Sequence, residues 1–199
     1  STPLQTLFPY TTLFRSQLPN AVVKNVYYKS ETTLPYKAQL DPQNEYIEGE
    51  YDTDVAMENG LKFHVDWLRG QKTGFFVDQR ENRSLLEHYA TGRKVLNMFC
   101  YTGGFSFYAL RGGAELVHSV DSSAKAISLT DANVELNFPN CERHKSFAID
   151  AFKYLDEMGS DYDLIVLDPP AFAKHKSALR NALIGYRKLN AKAFEKIKP

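Results

Sequence analysis

Three acids and one glycine pair are the residues of this chain best placed to do chemistry. Tyr101-Thr102-Gly103-Gly104 follows an apolar run (Val95, Leu96, Met98, Phe99) and precedes a helical pattern through Phe105, Tyr108 and Ala109. Gly112-Gly113 ends that pattern, and a second apolar run, Leu116 to Val120, stops at Asp121. Glycine lets a backbone pass close to a ligand, and the helix start behind it offers unpaired N–H groups to an anion. An acid at the next strand's end can accept both hydroxyl hydrogens of a ribose. Asp150 ends a strand pattern, His144 to Ile149, and Asp168 ends the apolar run before it, within Asp168-Pro169-Pro170-Ala171-Phe172. One such acid is ordinary. Three, each followed by a helical pattern, are hard to ascribe to capping alone, although each would serve as an N-cap.

The glycine pattern selects among nucleotides. A dinucleotide fold wants G-x-G-x-x-G to admit a pyrophosphate. Here only Gly103 and Gly104 are so placed, and Phe105 stands where a further small residue is needed. The spacing to Asp121 suits either ligand. A ribose-bearing ligand without a pyrophosphate fits better, and S-adenosylmethionine is the common one. A plain structural βαβ unit is the alternative.

The elements that must position these residues can be read in order. Residues 1–16 show no helical or strand period, and TLFPYTTLFRS is similar to the translation of a DNA sequencing adapter. That segment is expected to be non-native, with native sequence missing at both ends. Residues 17–76 read as a small β-rich module, with strands at Ala21–Tyr28 and Tyr46–Tyr51. A hairpin follows, Val55 to Val65, turning at Asn59-Gly60. Val55, Met57, Leu61, Phe63 and Val65 are expected to share its buried face, with His64 an outward strand residue. A packing annex and an RNA-contacting module are both open for this part. Residues 77–199 form the second domain. Gly74–Val77 reads as a short strand, and a helix is expected from Asp78, as N-cap, to Tyr89. Cations at its start oppose the helix dipole, so Arg80 is a candidate for an anionic partner, against a solvated polar face. Helices at Ser122–Asn137, Ala151–Met158 and Ser177–Lys198 alternate with strands at His144–Ile149 and Asp163–Leu167. This alternation predicts an α/β fold: a partial Rossmann-like sheet of four parallel strands with right-handed crossovers, preceded by the antiparallel module. The acids and the glycine loop then meet at the carboxyl edge, where open sheets bind ligands.

Bulk properties set limits. The 199 residues carry no net charge, with 43% hydrophobic and 24% charged residues, so a nucleic-acid partner needs a local basic patch. Cys100 and Cys141 give neither a disulfide framework nor a zinc spacing, which suits a reducing cytoplasm without a metal site. No apolar run approaches the roughly 18 residues of a membrane span, and no signal peptide is evident.

At Asp168-Pro-Pro-Ala-Phe the chain resembles class I S-adenosylmethionine-dependent methyltransferases, specifically the large-subunit ribosomal RNA cytosine-C5 family. GQKTGFFVDQRENR (70–83), VLNMFCYTGGFSFYAL (95–110), SVDSSAKAI (119–127), NVELN (133–137) and LIVLDPPAFAKHK (164–176) carry the resemblance, which covers roughly residues 45–199. It implies that Asn97, Tyr101, Thr102, Gly103 and Gly104 wrap the methionine part of the cofactor and that Arg80 reaches that end. Asp121 would hold the ribose, and Asp150 the adenine amino group with Ala151 and Phe152 beside the base. Asp168, Pro169 and Pro170 would line the target-base entrance, with Phe172 stacking on the base. Lys174, His175 and Lys176 form a basic cluster suited to RNA phosphate, or a solvated helix start.

The same resemblance exposes a gap. Cytosine-C5 enzymes add a cysteine thiolate at carbon 6, and the family's cysteine stands in a serine-cysteine-serine motif beyond the fourth strand. Neither Cys100 nor Cys141 is in such a motif, so the isolated fragment is expected to be inactive and poorly soluble, its Asp163–Leu167 strand an unprotected edge. Three rivals stay open: a sister ribosomal RNA guanine-N methyltransferase, an NAD-dependent oxidoreductase and a non-catalytic RNA-binding module.

Overall fold

The structure is a computed structural model that describes residues 24–31, 43–51, 54–70, 74–159, 161–173 and 175–197. The adapter-like segment, the start of the strand expected at Ala21 and Lys174 lie outside the described residues. The chain divides into two compact units, Ser1–Thr53 and Asp54–Pro199.

In the first unit, β1 (Val26–Lys29) pairs antiparallel with β2 (Asn44–Glu48). Tyr27 and Tyr46 face each other with ring centroids 4.9 Å apart. The second strand stops before YIEGEY is complete because Gly49 turns to φ +72°, where an added Cβ would lie 2.0 Å from Asn25 Oδ1.

The second unit is an α/β layer structure. A hairpin, β3 (Val55–Glu58) and β4 (Leu61–His64), comes first. Four parallel strands follow: β5 (Lys94–Met98), β6 (Leu116–Asp121), β7 (His144–Ala148) and β8 (Leu164–Leu167), in the order β7-β6-β5-β8. The helices are α1 (Arg80–Tyr89), α2 (Gly104–Arg111), α3 (Ala124–Asn137), α4 (Ala151–Glu157) and α5 (Leu179–Lys196). The α/β sheet and the antiparallel strand pairs expected from the sequence are both present. Successive strands step outward from β5 to β7, and the chain then crosses back to place β8 on the other side of β5. That reversal opens a crevice beyond the carboxyl ends of β5 and β8.

Strand alternation divides the core between the two faces of the sheet. Val95 and Val117 pack with Phe107, Tyr108 and Leu110 of α2, with Val134 of α3, and with Leu61 and Phe63 of the hairpin. Leu96, Met98 and Val120 pack on the opposite face with Ala151 and Leu155 of α4 and Leu189 of α5. On that second face His118 meets the hydroxyls of Tyr154 and Tyr162, which bond each other at 2.8 Å. β8 and β7 are the two outer strands of the four, and the residues of β8 are half-buried.

Several local expectations need correction. Asn59 (φ 48°) and Gly60 (φ 83°) form the expected turn, so Glu58 pairs with Leu61 and Ala56 with Phe63. That register puts Met57 opposite Lys62 on the outer face, 70% exposed, and turns Glu58 inward. His64 is half-buried, with Nδ1 2.9 Å from Asp54 Oδ2. No strand forms at 74–77. A 3₁₀ turn, Val77–Gln79, leads into α1, and the Asp78 side chain caps nothing. A similar turn, Lys176–Ala178, precedes α5.

Candidate active site

The chain leaves β5 through an unusual bend. Phe99 (φ 57°), Tyr101 (φ 49°) and Gly103 (φ 83°) all occupy the left-handed region, at a cost of about 1–3 kcal/mol for each non-glycine residue. A side chain at Gly103 would strike Thr130 at 2.7 Å and Phe107 at 2.8 Å, so only glycine fits between α2 and α3. The bend persists because its backbone groups are tied from three sides. Asp121 Oδ2 accepts from Tyr101 N at 3.0 Å, Thr130 Oγ1 donates to Tyr101 O at 2.9 Å, and Asn133 Nδ2 donates to Thr102 O at 3.2 Å. Cys100 N also donates to Val120 O at 3.1 Å.

Asp121 serves both sides of this arrangement. Its Oδ1 accepts from Ser123 N at 2.9 Å, and Ser123 in turn caps α3 by accepting from Ala126 N. Each carboxylate oxygen keeps a second lone pair for a ligand hydroxyl. Asp150, one strand outward, is exposed and caps α4 through Oδ1 to Lys153 N at 3.0 Å.

A cleft of about 670 Å³ opens over these strand ends. Tyr101, Thr102, Gly104 and Asp121 line one side, and Asp168, Pro169, Pro170 and Ala171 the other. The Phe75–Gln79 segment contributes Phe75, Phe76, Asp78 and Gln79, and Asp66, Arg69 and Lys125 stand at the cleft as well. Lys125 Nζ donates to Asp66 Oδ2 at 2.9 Å. Although Asp66 pays some desolvation, Lys125 and the Arg69 amide hold its carboxyl below the ordinary range. Asp168 moves the other way, raised by desolvation and by the charge of Asp78.

Other expected site residues stand apart from the lining. Asn97 is 1% exposed and donates to Ser106 Oγ at 2.9 Å, within a buried chain that continues to Ser119 and His144. Arg80 is exposed beside Glu81, with Nε 3.2 Å from Glu81 Oε1. Ala151 and Phe152 belong to the second core, where Lys188 Nζ lies 5.7 Å above the Phe152 ring. Phe172 stacks on Tyr186 of α5, centroids 4.4 Å apart. His175 and Lys176 are exposed at the start of the turn before α5. The cleft arginine that comes from α1 is Arg83, three residues beyond Arg80 and 3% exposed. Its helical phase with Leu86 was the available signal: both fall on the buried side of α1. Thr130 carried no comparable mark, and Asn133 was marked only as the first residue of the NVELN segment.

A family model described as S-adenosylmethionine-dependent methyltransferase matches residues 13–199. A ribosomal RNA large subunit methyltransferase I of Tolumonas auensis is 41% identical over 181 residues, covering 88% of this chain and 46% of its own length. A ribosomal RNA large subunit methyltransferase of Deinococcus radiodurans is 43% identical over 162 residues, covering 80% of this chain and 40% of the relative. The chain thus spans about half the length of the curated relatives it matches. Among solved structures, SMU.776 complexed with SAH aligns with a TM-score of 0.76 and 28% identity, over 100% of this chain and 51% of that one. A SAM-dependent methyltransferase from Agrobacterium tumefaciens aligns with a TM-score of 0.62 and 26% identity, over 79% and 50%.

Proposed function

Because the chain belongs to the S-adenosylmethionine-dependent methyltransferase family, we propose that it forms the cofactor-holding part of an enzyme that methylates carbon 5 of a cytosine in large-subunit ribosomal RNA. The observation that carries this is one cleft at the sheet's crossover point, with the glycine bend and Asp121 on one side and Asp168-Pro169-Pro170 on the other. The residues fit the cofactor: the volume of about 670 Å³ lies within the ordinary range for small-molecule sites, and the lining sets aromatic and proline walls (Phe75, Phe76, Pro169, Pro170) beside charged groups of both signs (Asp121, Asp168, Arg83, Lys125).

Bound there, S-adenosylmethionine supplies an electrophilic methyl group. Tyr101, Thr102, Gly103 and Gly104 would hold its methionine part, with Asn97 bracing the start of the bend. Asp121 would take the ribose hydroxyls. Asp150 would offer Oδ2 to the adenine amino group, with Ala151 and Phe152 flanking. Asp168, Pro169 and Pro170 would admit the target base, and Phe172 would contribute an aromatic surface to it. His175 and Lys176, together with Lys174 and Arg80, would meet RNA phosphate.

Carbon 5 of cytosine needs a thiolate added at carbon 6 before it can attack the methyl group, and a base must then remove the carbon-5 proton. Cys100 does not supply that thiolate. Burial, with help from the charges of Asp121 and Asp131, pushes its thiol up to about 12. Cys141 packs against the core on the hairpin side. The thiolate must come from another segment. This same lack favours one rival, methylation of a guanine ring nitrogen, which attacks the methyl group without covalent help.

Calorimetric titration with S-adenosylhomocysteine and NAD, then methyl transfer to large-subunit ribosomal RNA with nucleoside analysis, separates these readings. Binding of S-adenosylhomocysteine without NAD, its loss in Asp121→Ala, and no cytosine methylation by the 199-residue chain alone are expected. Methyl transfer to a guanine nitrogen by the same chain would overturn the cytosine assignment, and binding of NAD alone would overturn the methyltransferase site itself.

A further inference from the structure

The β3–β4 hairpin stands outside the parallel sheet, yet its one inward acid reaches both helices that flank the cleft. Glu58, 9% exposed, accepts from Arg83 Nε and Nη2 at 2.8 Å each and from the Tyr108 hydroxyl at 2.9 Å. Arg83 belongs to α1 and Tyr108 to α2. Through Nη1, Arg83 also donates to Phe76 O at 3.0 Å, which fixes the segment forming one cleft wall. Its Cδ would lie 3.2 Å from a Cβ on Gly104, the first residue of α2. A guanidinium beside a helix N-terminus is electrostatically misplaced, and a buried cation without a paired anion is strongly disfavoured. The Glu58 carboxylate is what lets Arg83 sit there. Glu58 itself does not line the cleft, whereas Arg83 does. By a second route, Asn133 Oδ1 accepts from His64 N at 2.6 Å while its Nδ2 holds Thr102 O.

We infer that the hairpin is a working part of the cofactor site and that Glu58 is a positioning residue. Through Arg83 and Tyr108 it sets the separation between the Phe75–Gln79 wall and the Gly103–Gly104 bend, where the amino-acid tail of the methyl donor lies. This rests on the reading that the methionine part binds at that bend. Ligands that carry the tail therefore depend on Glu58, and ligands that end at the nucleoside do not.

Titration calorimetry of the 199-residue chain with S-adenosylhomocysteine and with adenosine tests this. Glu58→Gln keeps the size and an acceptor for Tyr108 but removes the charge that holds Arg83. The dissociation constant for S-adenosylhomocysteine should rise about tenfold, as expected for a small misplacement of a binding group, while that for adenosine changes less than about twofold. Tyr108→Phe, which removes the α2 arm together with the bond its hydroxyl accepts from Asn59 Nδ2 at 3.0 Å, should move the two ligands in the same unequal way by about threefold and carries the test if Glu58→Gln fails to fold. Equal weakening of both ligands would reduce Glu58 to general structural support, and unchanged S-adenosylhomocysteine affinity would remove its role altogether. If the parent chain binds neither ligand, the cofactor-site assignment fails instead, a result distinct from either.

Discussion

The two banks of the cleft are built differently. On the β5–β6 bank, Asp121, Thr130 and Asn133 tie a bend that carries three left-handed residues, and the bonds come from two other elements. On the β8 bank, Pro169 and Pro170 have no N–H to offer, and the segment hangs on Tyr186. That hydroxyl accepts from Phe172 N at 3.3 Å and donates to Pro170 O at 3.4 Å, and its ring stacks on Phe172. Asp168 and Pro170 are exposed. The first bank is fixed before any ligand arrives, which lowers the ordering cost of binding. The second has few ties and can adjust to what enters.

Breaking the fixed bank should have the largest effect. Asn133 is 0% exposed and bridges His64 N and Thr102 O. Asn133→Ala leaves both unsatisfied, and urea unfolding should show a loss of about 3 kcal/mol. A loss below about 1 kcal/mol would mean that water replaces the amide and that the bend holds itself.

The next effect concerns the approach to β8. Desolvation, aided by the charges of Lys145 and His144, lowers His118 from 6.5 to about 4. Its Nε2 has no hydrogen-bond partner among the described residues. The unfolded chain therefore takes up a proton below pH 6.5 that the folded chain refuses until about pH 4. Stability from this residue is complete above pH 6.5 and is lost as pH falls towards 4, by about 2 kcal/mol after allowance for partial exposure. Urea midpoints at pH 7 and pH 4.5 should converge in His118→Gln relative to the parent; parallel shifts in the two proteins would remove His118 from the account.

Smaller effects belong to the adjustable bank. Tyr186→Ala deletes the Phe172 stack and both hydroxyl contacts and should cost about 1 kcal/mol in unfolding, with little change in S-adenosylhomocysteine affinity. A tenfold loss of that affinity would show that the two banks are mechanically joined. Asp168→Asn should change stability least, by under about 0.5 kcal/mol at neutral pH. Its raised carboxyl is a cost present above the ordinary aspartate range and relieved by acid, but solvent screens an exposed group. The variant should therefore be equal or slightly more stable at pH 7, as measured by the urea midpoint.

The sequence announced what depends on local pattern. Apolar runs placed β5, β6 and β8, and the alternation of strands with helices placed β7 between them. Gly103 was legible as a bend because only glycine serves there. The rest depends on partners remote in sequence. Glu58 was concealed by hairpin register: a two-residue turn pairs 58 with 61, which puts Glu58 on the same face as buried Leu61 and Phe63. Asn97 lies inside an apolar run, and nothing in its neighbours reveals Ser106 as its partner. Arg80 drew attention because it opens the helix, although the helical period carries Arg83 inward instead.

Asn133 and Asn137, one helical turn apart on α3, bond the outward backbone of β4: His64 N and Lys62 N donate to them, and Asn137 Nδ2 returns a bond to Lys62 O at 2.7 Å. Two amide side chains thus imitate a neighbouring strand. They satisfy the flank of a two-stranded ribbon that would otherwise recruit another molecule's backbone, so solubility of the hairpin is written into a helix some seventy residues downstream.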